Sequence, residues 1–375
     1  MPKKIGILTF HRYYNYGTAL QAYALQNFIS QNYNCEVELI DYLAKNEYVG
    51  KKLLITRLRR LGTYIVNFSR YYSIYKNRQN QAQKVQKFNG FFENQMVLSA
   101  QNADVVDDLP DICKNYDAVI IGSDQTWNPF VSTKGVFLLE YLDGKTVKKL
   151  SYAPSIGISK IPEEYIERYK NALSDFEMLS CRERCGAEFL SDLLKRNVEC
   201  VLDPTLLLKP GDWEKIAAQV DVREPYLLTY FLGDNKAHRK AAEKIAAEKN
   251  LKIVALPVSY LEINNKNINK QYVGPCEFIS LFKNASFVCT DSFHGTMFSI
   301  NFGKDFMSFP KRNDVDINSD NNRLYDALKV FGLENRLGIK GRTVTEPIDY
   351  EKVNAKLAEL RESSKQYLDH SINLI

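Results

Sequence analysis

Cys289-Thr-Asp-Ser-Phe-His-Gly-Thr-Met-Phe-Ser-Ile-Asn-Phe302 reads as a buried strand giving way, through a short polar turn, to an apolar helix. Phe287 to Cys289 close the strand, and Met297, Phe298 and Ile300 begin the helical apolar face. His294 then falls in the first helical turn, with Asp291 or Ser292 as the cap. A helix N-terminus presents unsatisfied N–H groups and a positive dipole end, so the position suits an anion with an acid/base group beside it. Gly295 and Thr296 add a small residue and a hydroxyl next to the imidazole, which suits close approach of a ligand. A partly buried core histidine is the competing reading.

Outward from this stretch, short β-rich apolar runs alternate with helical patterns, the signature of parallel α/β layering. Expected strands lie at 4–10, 36–42, 117–122, 149–153, 178–181 and 198–202, with helices at 17–30, 162–173 and 187–196. The run Leu202-Asp-Pro-Thr-Leu-Leu-Leu-Lys-Pro-Gly-Asp212 breaks the alternation with two prolines and a glycine, and marks a domain boundary. Strands at 226–232 and 251–256 and helices at 236–249 and 276–283 then lead to the histidine segment. The expectation is two Rossmann-like domains, 1–205 and 206–345, with a helix in 346–375 returning to the first.

Composition narrows the functional classes. The 375 residues are 45% hydrophobic and 25% charged, enough for two cores. The apolar run 5–10 is too brief for a signal peptide, and no later run reaches membrane-spanning length, which gives a cytoplasmic expectation. Seven scattered cysteines without a C-x-x-C pair suit reduced thiols better than disulfides or zinc. The net charge of +5 is uneven: from Lys51 to Phe92 there is no Asp or Glu, while arginines and lysines alternate with aromatic and aliphatic residues. This insertion, about 50–92, reads as a basic amphipathic helix or helix pair, either packed on its own domain or set against anionic headgroups or a polyanion. No nucleic-acid motif, G-x-G-x-x-G or Walker loop is present, which disfavours nucleic-acid, dinucleotide and ATP-binding readings.

Ligands of open parallel sheets bind at the carboxyl ends of strands, so the residues there are the site candidates. After the first strand, Asn15 offers donors and acceptors, and Gly17 allows close backbone approach at a helix start. A simple strand-to-helix turn is the more ordinary reading of Asn-Tyr-Gly. After the third expected strand, Gly122-Ser-Asp-Gln-Thr-Trp-Asn-Pro129 supplies Asp124, Gln125 and Asn128 to bracket hydroxyls and Trp127 as a plate for a sugar ring. A turn with a core tryptophan is the alternative. Arg182, in Ser180-Cys-Arg-Glu-Arg-Cys-Gly186, can fork onto a carboxylate or phosphate, or pair locally with Glu183.

These stretches together resemble the polysaccharide pyruvyl transferase family. The resemblance rests on Ile5-Gly-Ile-Leu-Thr-Phe-His through Asn15-Tyr-Gly17, Ile121-Gly-Ser-Asp-Gln-Thr-Trp-Asn-Pro129, Tyr152-Ala-Pro-Ser, Ser180-Cys-Arg-Glu, Asp203-Pro-Thr-Leu-Leu-Leu208, Thr290-Asp-Ser-Phe-His-Gly-Thr296 and Asn322-Arg323 through Gly332-Leu-Glu-Asn-Arg336. It implies a GT-B-like fold and transfer of pyruvate from phosphoenolpyruvate to two hydroxyls of one sugar, forming a cyclic ketal in cell-surface polysaccharide synthesis. His294 and Arg182 would be the catalytic pair. Ser292, Phe293, Gly295, Thr296 and Arg323 would hold the donor, and Asn15, Gly17, Asp124, Gln125, Trp127 and Asn128 would face the acceptor. Neither cofactor nor metal is expected, because cationic side chains can neutralise the donor. The resemblance also implies a glycan acceptor, in one form lipid-linked, and the charge pattern of residues 51–87 then makes them an expected peripheral contact at the inner membrane face. A glycosyltransferase using a nucleotide sugar would share the architecture, and a noncatalytic glycan-binding protein is a third class.

Overall fold

The computed structural model describes residues 2–43, 77–131, 135–158, 161–311, 321–338, 344 and 346–375. Residues 44–76, which take in much of the basic insertion, lie outside the described residues. The first unit holds β1 (Lys3–Leu8), β2 (Cys35–Tyr42), β3 (Leu98–Ala103), β4 (Ala118–Ile121) and β5 (Lys148–Ser151), paired in parallel in the order β3-β2-β1-β4-β5. A two-stranded pair, β6 (Ser180–Cys181) and β7 (Glu199–Cys200), joins that sheet beside β5 through a bridge from Leu150 to Met178.

The second unit repeats the plan. β8 (Tyr226–Tyr230), β9 (Lys252–Ala255), β10 (Asn269–Lys270), β11 (Phe287–Thr290) and β12 (Phe306–Ser308) form a parallel sheet in the order β10-β9-β8-β11-β12. In both sheets the chain reverses its direction of winding beside the first strand, between β1 and β4 and between β8 and β11. Those two switch points are where doubly wound sheets open a crevice for ligands. The central strands β4, β8 and β11 are buried at every residue, which is why they read as continuous apolar runs rather than alternating ones.

The two units are joined by packed core. After β7, Asp203 caps the short helix Pro204–Leu207, with proline at the first helical positions, where its missing N–H costs nothing. Leu206, Leu207 and Leu208 are buried in one apolar cluster that takes in strands and helices of both units. Asn301 donates to the carbonyls of Thr205 and Leu208, both at 2.9 Å, fixing the second unit onto this connection. Tyr16 crosses the boundary: it stacks on Phe278, ring centres 4.6 Å apart, and donates to the Val273 carbonyl at 2.8 Å.

The terminal helix Tyr350–Asn373 runs back over the first unit. Tyr367 donates to the Ser151 carbonyl at 2.7 Å, and Lys3 donates to that of Ile372 at 2.9 Å. The helix Arg78–Gln95 buries Phe88, Phe91 and Phe92, and two of its basic residues face the protein itself. Lys84 is buried over the Tyr16 ring at 4.6 Å, and burial lowers its ammonium to about 8. Lys87 pairs with Glu277 of the second unit at 2.6 Å. No helix among the described residues is long and apolar enough to cross a membrane.

Candidate active site

A single carboxylate organises the space between the two switch points. Oδ1 of Asp203 accepts from the Thr205 backbone at 3.0 Å and its hydroxyl at 2.6 Å, as an N-cap does. Oδ2 is thereby left for other partners. It accepts from Nη1 of Arg182 at 2.8 Å and from the Ser123 hydroxyl at 3.3 Å, and Nε2 of His294 lies 3.5 Å away. Arg182 follows β6 of the first unit, and His294 stands in the first turn of the helix Phe293–Asn301 after β11 of the second. An arginine and a histidine from the two halves of the chain therefore meet on one oxygen.

Phe293 forms the other wall. The Arg182 guanidinium lies over its ring at 4.4 Å and that of Arg323 at 5.8 Å, so two cations flank one aromatic face-bearing residue. The helix carrying Phe293 is capped by Ser292, whose hydroxyl accepts from the Gly295 N–H at 3.3 Å. Asp291, the other cap candidate, instead accepts from the backbone of Leu232 at 2.6 Å and Gly233 at 2.9 Å, tying the loop after β8 to the loop after β11.

Burial makes the charges of this site interdependent. Burial would raise the Asp203 carboxyl, but His294 and Arg182 overcome it and hold the group far below the usual carboxylate range. Burial would likewise discharge Arg182, and the carboxylates of Glu183, Asp203 and Asp124 outweigh it, so the guanidinium stays charged. Desolvation opposes ionisation of Asp124 as well, yet His294 and Arg182 bring it below its ordinary value. Nη2 of Arg182 is buried and has no hydrogen-bond partner among the described residues.

The cleft is lined from both units. Asn15, Thr18, Asp124 and Gln125 come from the first; Ser292, Phe293, His294, Lys311 and Arg323 come from the second. Asn15 caps the helix Tyr16–Asn32, accepting from the Thr18 N–H at 3.3 Å, and the Thr18 hydroxyl donates to Asp124 at 2.8 Å. Asp124 holds a left-handed backbone, φ 71°, an uncommon state for a side-chain-bearing residue and one concentrated at functional sites. Gly17 lies against the His294 ring with no room for a side chain.

Four sequence expectations are corrected here. Trp127 presents no plate to the cleft: it is fully buried, its N–H donates to the Phe137 carbonyl at 3.1 Å, and its ring meets Phe176 edge-on. Asn128 is buried behind Gln125, donating to its side chain at 2.7 Å, and so acts as a brace. Gly295 packs on Thr290, where any Cβ would lie 2.4 Å from the hydroxyl oxygen. The Thr296 hydroxyl is paired with Ser308 at 2.6 Å, so both residues serve helix-to-strand packing.

Asp203 and Thr18 were missed as site residues. Asp-Pro-Thr was read for its prolines as a boundary, although an acid before proline at a helix start is a capping signal that could have singled it out. Exposed aromatic surface occurs instead at Tyr13 and Tyr14 in the loop after β1 and at Phe130 in the loop after β4.

The family model for polysaccharide pyruvyl transferase matches residues 15–310. No curated protein matches the sequence. Among solved structures, the chain is similar to UDP-GlcNAc 2-epimerase from Neisseria meningitidis bound to UDP-GlcNAc, with 9% identity, 99% and 100% of the two chains covered and a TM-score of 0.53. The UDP-GlcNAc 2-epimerase of Methanocaldococcus jannaschii, in complex with UDP-GlcNAc and UDP, shows 14% identity over 96% and 99% of the chains, at a TM-score of 0.47. The first of these likenesses establishes the fold, two Rossmann-like units of GT-B type.

Proposed function

Because the chain belongs to the polysaccharide pyruvyl transferase family, we propose that it transfers pyruvate from phosphoenolpyruvate to two hydroxyls of one glycan sugar, closing a cyclic ketal. The observation that carries the donor reading is the convergence of Arg182 and His294 on Asp203, with Arg323 across the Phe293 ring. Phosphoenolpyruvate carries up to three negative charges, and guanidinium groups bind carboxylate and phosphate through paired N–H donors. The unpartnered Nη2 of Arg182 supplies one such donor.

In this reading His294 delivers a proton to the methylene carbon of the donor, which becomes a methyl group. The central carbon turns electrophilic, and one sugar hydroxyl adds to it with loss of its proton. The second hydroxyl then attacks the same carbon; its C–O bond forms as the C–O bond to phosphate breaks, phosphate leaves with the pair of electrons, and the hydroxyl proton passes to the departing phosphate. Arg182 and Arg323 stabilise the charge gathering on the phosphate. Asp203 holds Arg182 and the imidazole in place through both steps.

The acceptor lies on the first unit's face, where Asn15, Thr18, Asp124 and Gln125 offer hydroxyl partners. Tyr13, Tyr14 and Phe130, exposed aromatics in the loops that carry Asn15 and Asn128, take the stacking role in place of the buried Trp127. The test is release of phosphate from phosphoenolpyruvate against a panel of free and lipid-linked glycans, with the native chain and His294→Ala. Activity should require both substrates and fall by a factor of about 100 to 10,000 in the variant.

A further inference from the structure

Pyruvyl transfer requires a destination for the proton of the first sugar hydroxyl. His294 enters that step as an acid at the methylene carbon, so a hydroxyl adding to the neighbouring carbon needs an acceptor of its own. Among the described residues lining the cleft, two carry carboxylates, Asp124 and Asp291. Asp291 belongs to the second unit, where its oxygens take the N–H groups of Leu232 and Gly233. Asp124 stands on the unit assigned to the acceptor. Its Oδ1 accepts from the Gln125 N–H at 2.9 Å and its Oδ2 from the Thr18 hydroxyl at 2.8 Å. Two fixed contacts therefore aim the carboxylate, and each oxygen keeps a lone pair for a further donor. Burial opposes its ionisation, but His294 and Arg182 outweigh it, so the group is held in its basic form.

The residue beside it has the opposite character. The Phe130 N–H donates to Oδ1 of Asn128 at 2.9 Å, which leaves Nδ2 of Asn128 to donate to Oε1 of Gln125 at 2.7 Å. With its oxygen filled, Gln125 has N–H donors to offer a ligand. A hydroxyl held by Gln125 is gripped through its oxygen and keeps its proton, whereas one held by Asp124 can give its proton up. Of these two neighbours, Asp124 alone can serve as a base.

We propose that Asp124 is the general base of the first addition, an assignment that rests on the pyruvyl transfer reading. As the sugar oxygen bonds to the central carbon, the O–H electron pair stays on that oxygen and the proton passes to the carboxylate. The proton on Asp124 then passes back to the imidazole, replacing the one given to the methylene carbon. The second hydroxyl's proton leaves on phosphate, so both protein groups recover their starting states.

The left-handed backbone at Asp124, φ 71°, is one that glycine adopts without strain, so Asp124→Gly removes the carboxylate while the turn persists. Phosphate release from phosphoenolpyruvate with a glycan acceptor tests the assignment in native, Asp124→Asn and Asp124→Gly chains, with melting curves for each. Asp124→Asn should lose about 100- to 10,000-fold in kcat. Its KM for phosphoenolpyruvate should change by less than ~3-fold. Sodium formate should raise the rate of Asp124→Gly by at least ~10-fold, and sodium chloride at equal ionic strength should not, because a small carboxylate fills the vacated place. A carboxylate with a merely structural role would show no such rescue, and absence of rescue overturns the proposal. So does a kcat of Asp124→Asn within ~3-fold of native, which leaves the proton to His294. A native chain that releases no phosphate with any acceptor fails the pyruvyl transfer reading, and this assignment with it. An active native chain with indifferent variants fails this assignment alone.

Discussion

A Cβ on Gly17 would lie 2.1 Å from Nδ1 of His294 and 2.4 Å from its Cγ, so the first helix of one unit is fitted directly against the imidazole of the other. No backbone strain accounts for this glycine, since its φ is not in the left-handed region; the requirement is space. Gly17→Ala should push the ring off its Asp203 contact. The expected result is a loss of about 100-fold in turnover, the scale of an ångström misplacement of a reacting group. Steady-state phosphate release measures it, with a melting curve to show that the fold persists.

Asp203 should matter for both stability and acid sensitivity. Removing the charge with Asp203→Asn leaves Arg182 buried against fewer partners, a loss of about 3–5 kcal/mol in unfolding free energy. The folded carboxyl is held below its ordinary value near 4, so its stabilising contribution is complete above that value and is lost as pH falls toward the depressed one. Urea unfolding of the native chain across acid pH should therefore show a decline that is smaller in the variant.

Glu262 acts with the opposite sign. It is buried beside Arg239 and Thr229, one of its oxygens has no partner among the described residues, and burial raises its carboxyl to about 7. The folded state holds the proton through a range in which the unfolded chain has released it. Stability should fall as pH rises from about 4.3 to about 7 and then level off. Glu262→Gln should remove that slope and gain up to about 3 kcal/mol at pH 8, read by denaturant unfolding at pH 5 and 8.

Trp127 and the exposed aromatics should separate cleanly in kinetics. Trp127→Phe deletes the bond to the Phe137 carbonyl and part of a packed ring, at a cost of about 1–3 kcal/mol in stability, with acceptor KM unchanged. Tyr13→Ala and Phe130→Ala should raise acceptor KM severalfold without a comparable loss of melting temperature. A raised acceptor KM in Trp127→Phe alone would reverse the assignment.

The parts of the fold legible from sequence are those buried on both faces. The apolar runs at β1, β4, β8 and β11 announced themselves, while β3, with Ser99, Gln101 and Asn102 on a sheet edge, carries no apolar period. Arg182 and His294 were legible because they follow strands at positions where ligands gather. The capping pattern of Asp203 marks a helix start but not a partner for them, since the meeting of distant strand ends depends on how two sheets face each other. Trp127 shows the reverse error: a polar neighbourhood in sequence suggested exposure, yet its ring belongs to the core behind that loop. Lys84 and Lys87 show that a basic stripe can face its own protein.

The central claim is that Arg182 and His294 act on phosphoenolpyruvate in the cleft between the two units. The most direct measurement follows phosphate release and the new ketal methyl signal by NMR, for the native chain and His294→Ala, with phosphoenolpyruvate and a galactose-bearing glycan panel. Acceptor-dependent phosphate release matched one to one by ketal, and lost in the variant, is the predicted result. Full transfer by His294→Ala, or release of UDP or GDP from a sugar donor with no phosphate from phosphoenolpyruvate, would contradict it.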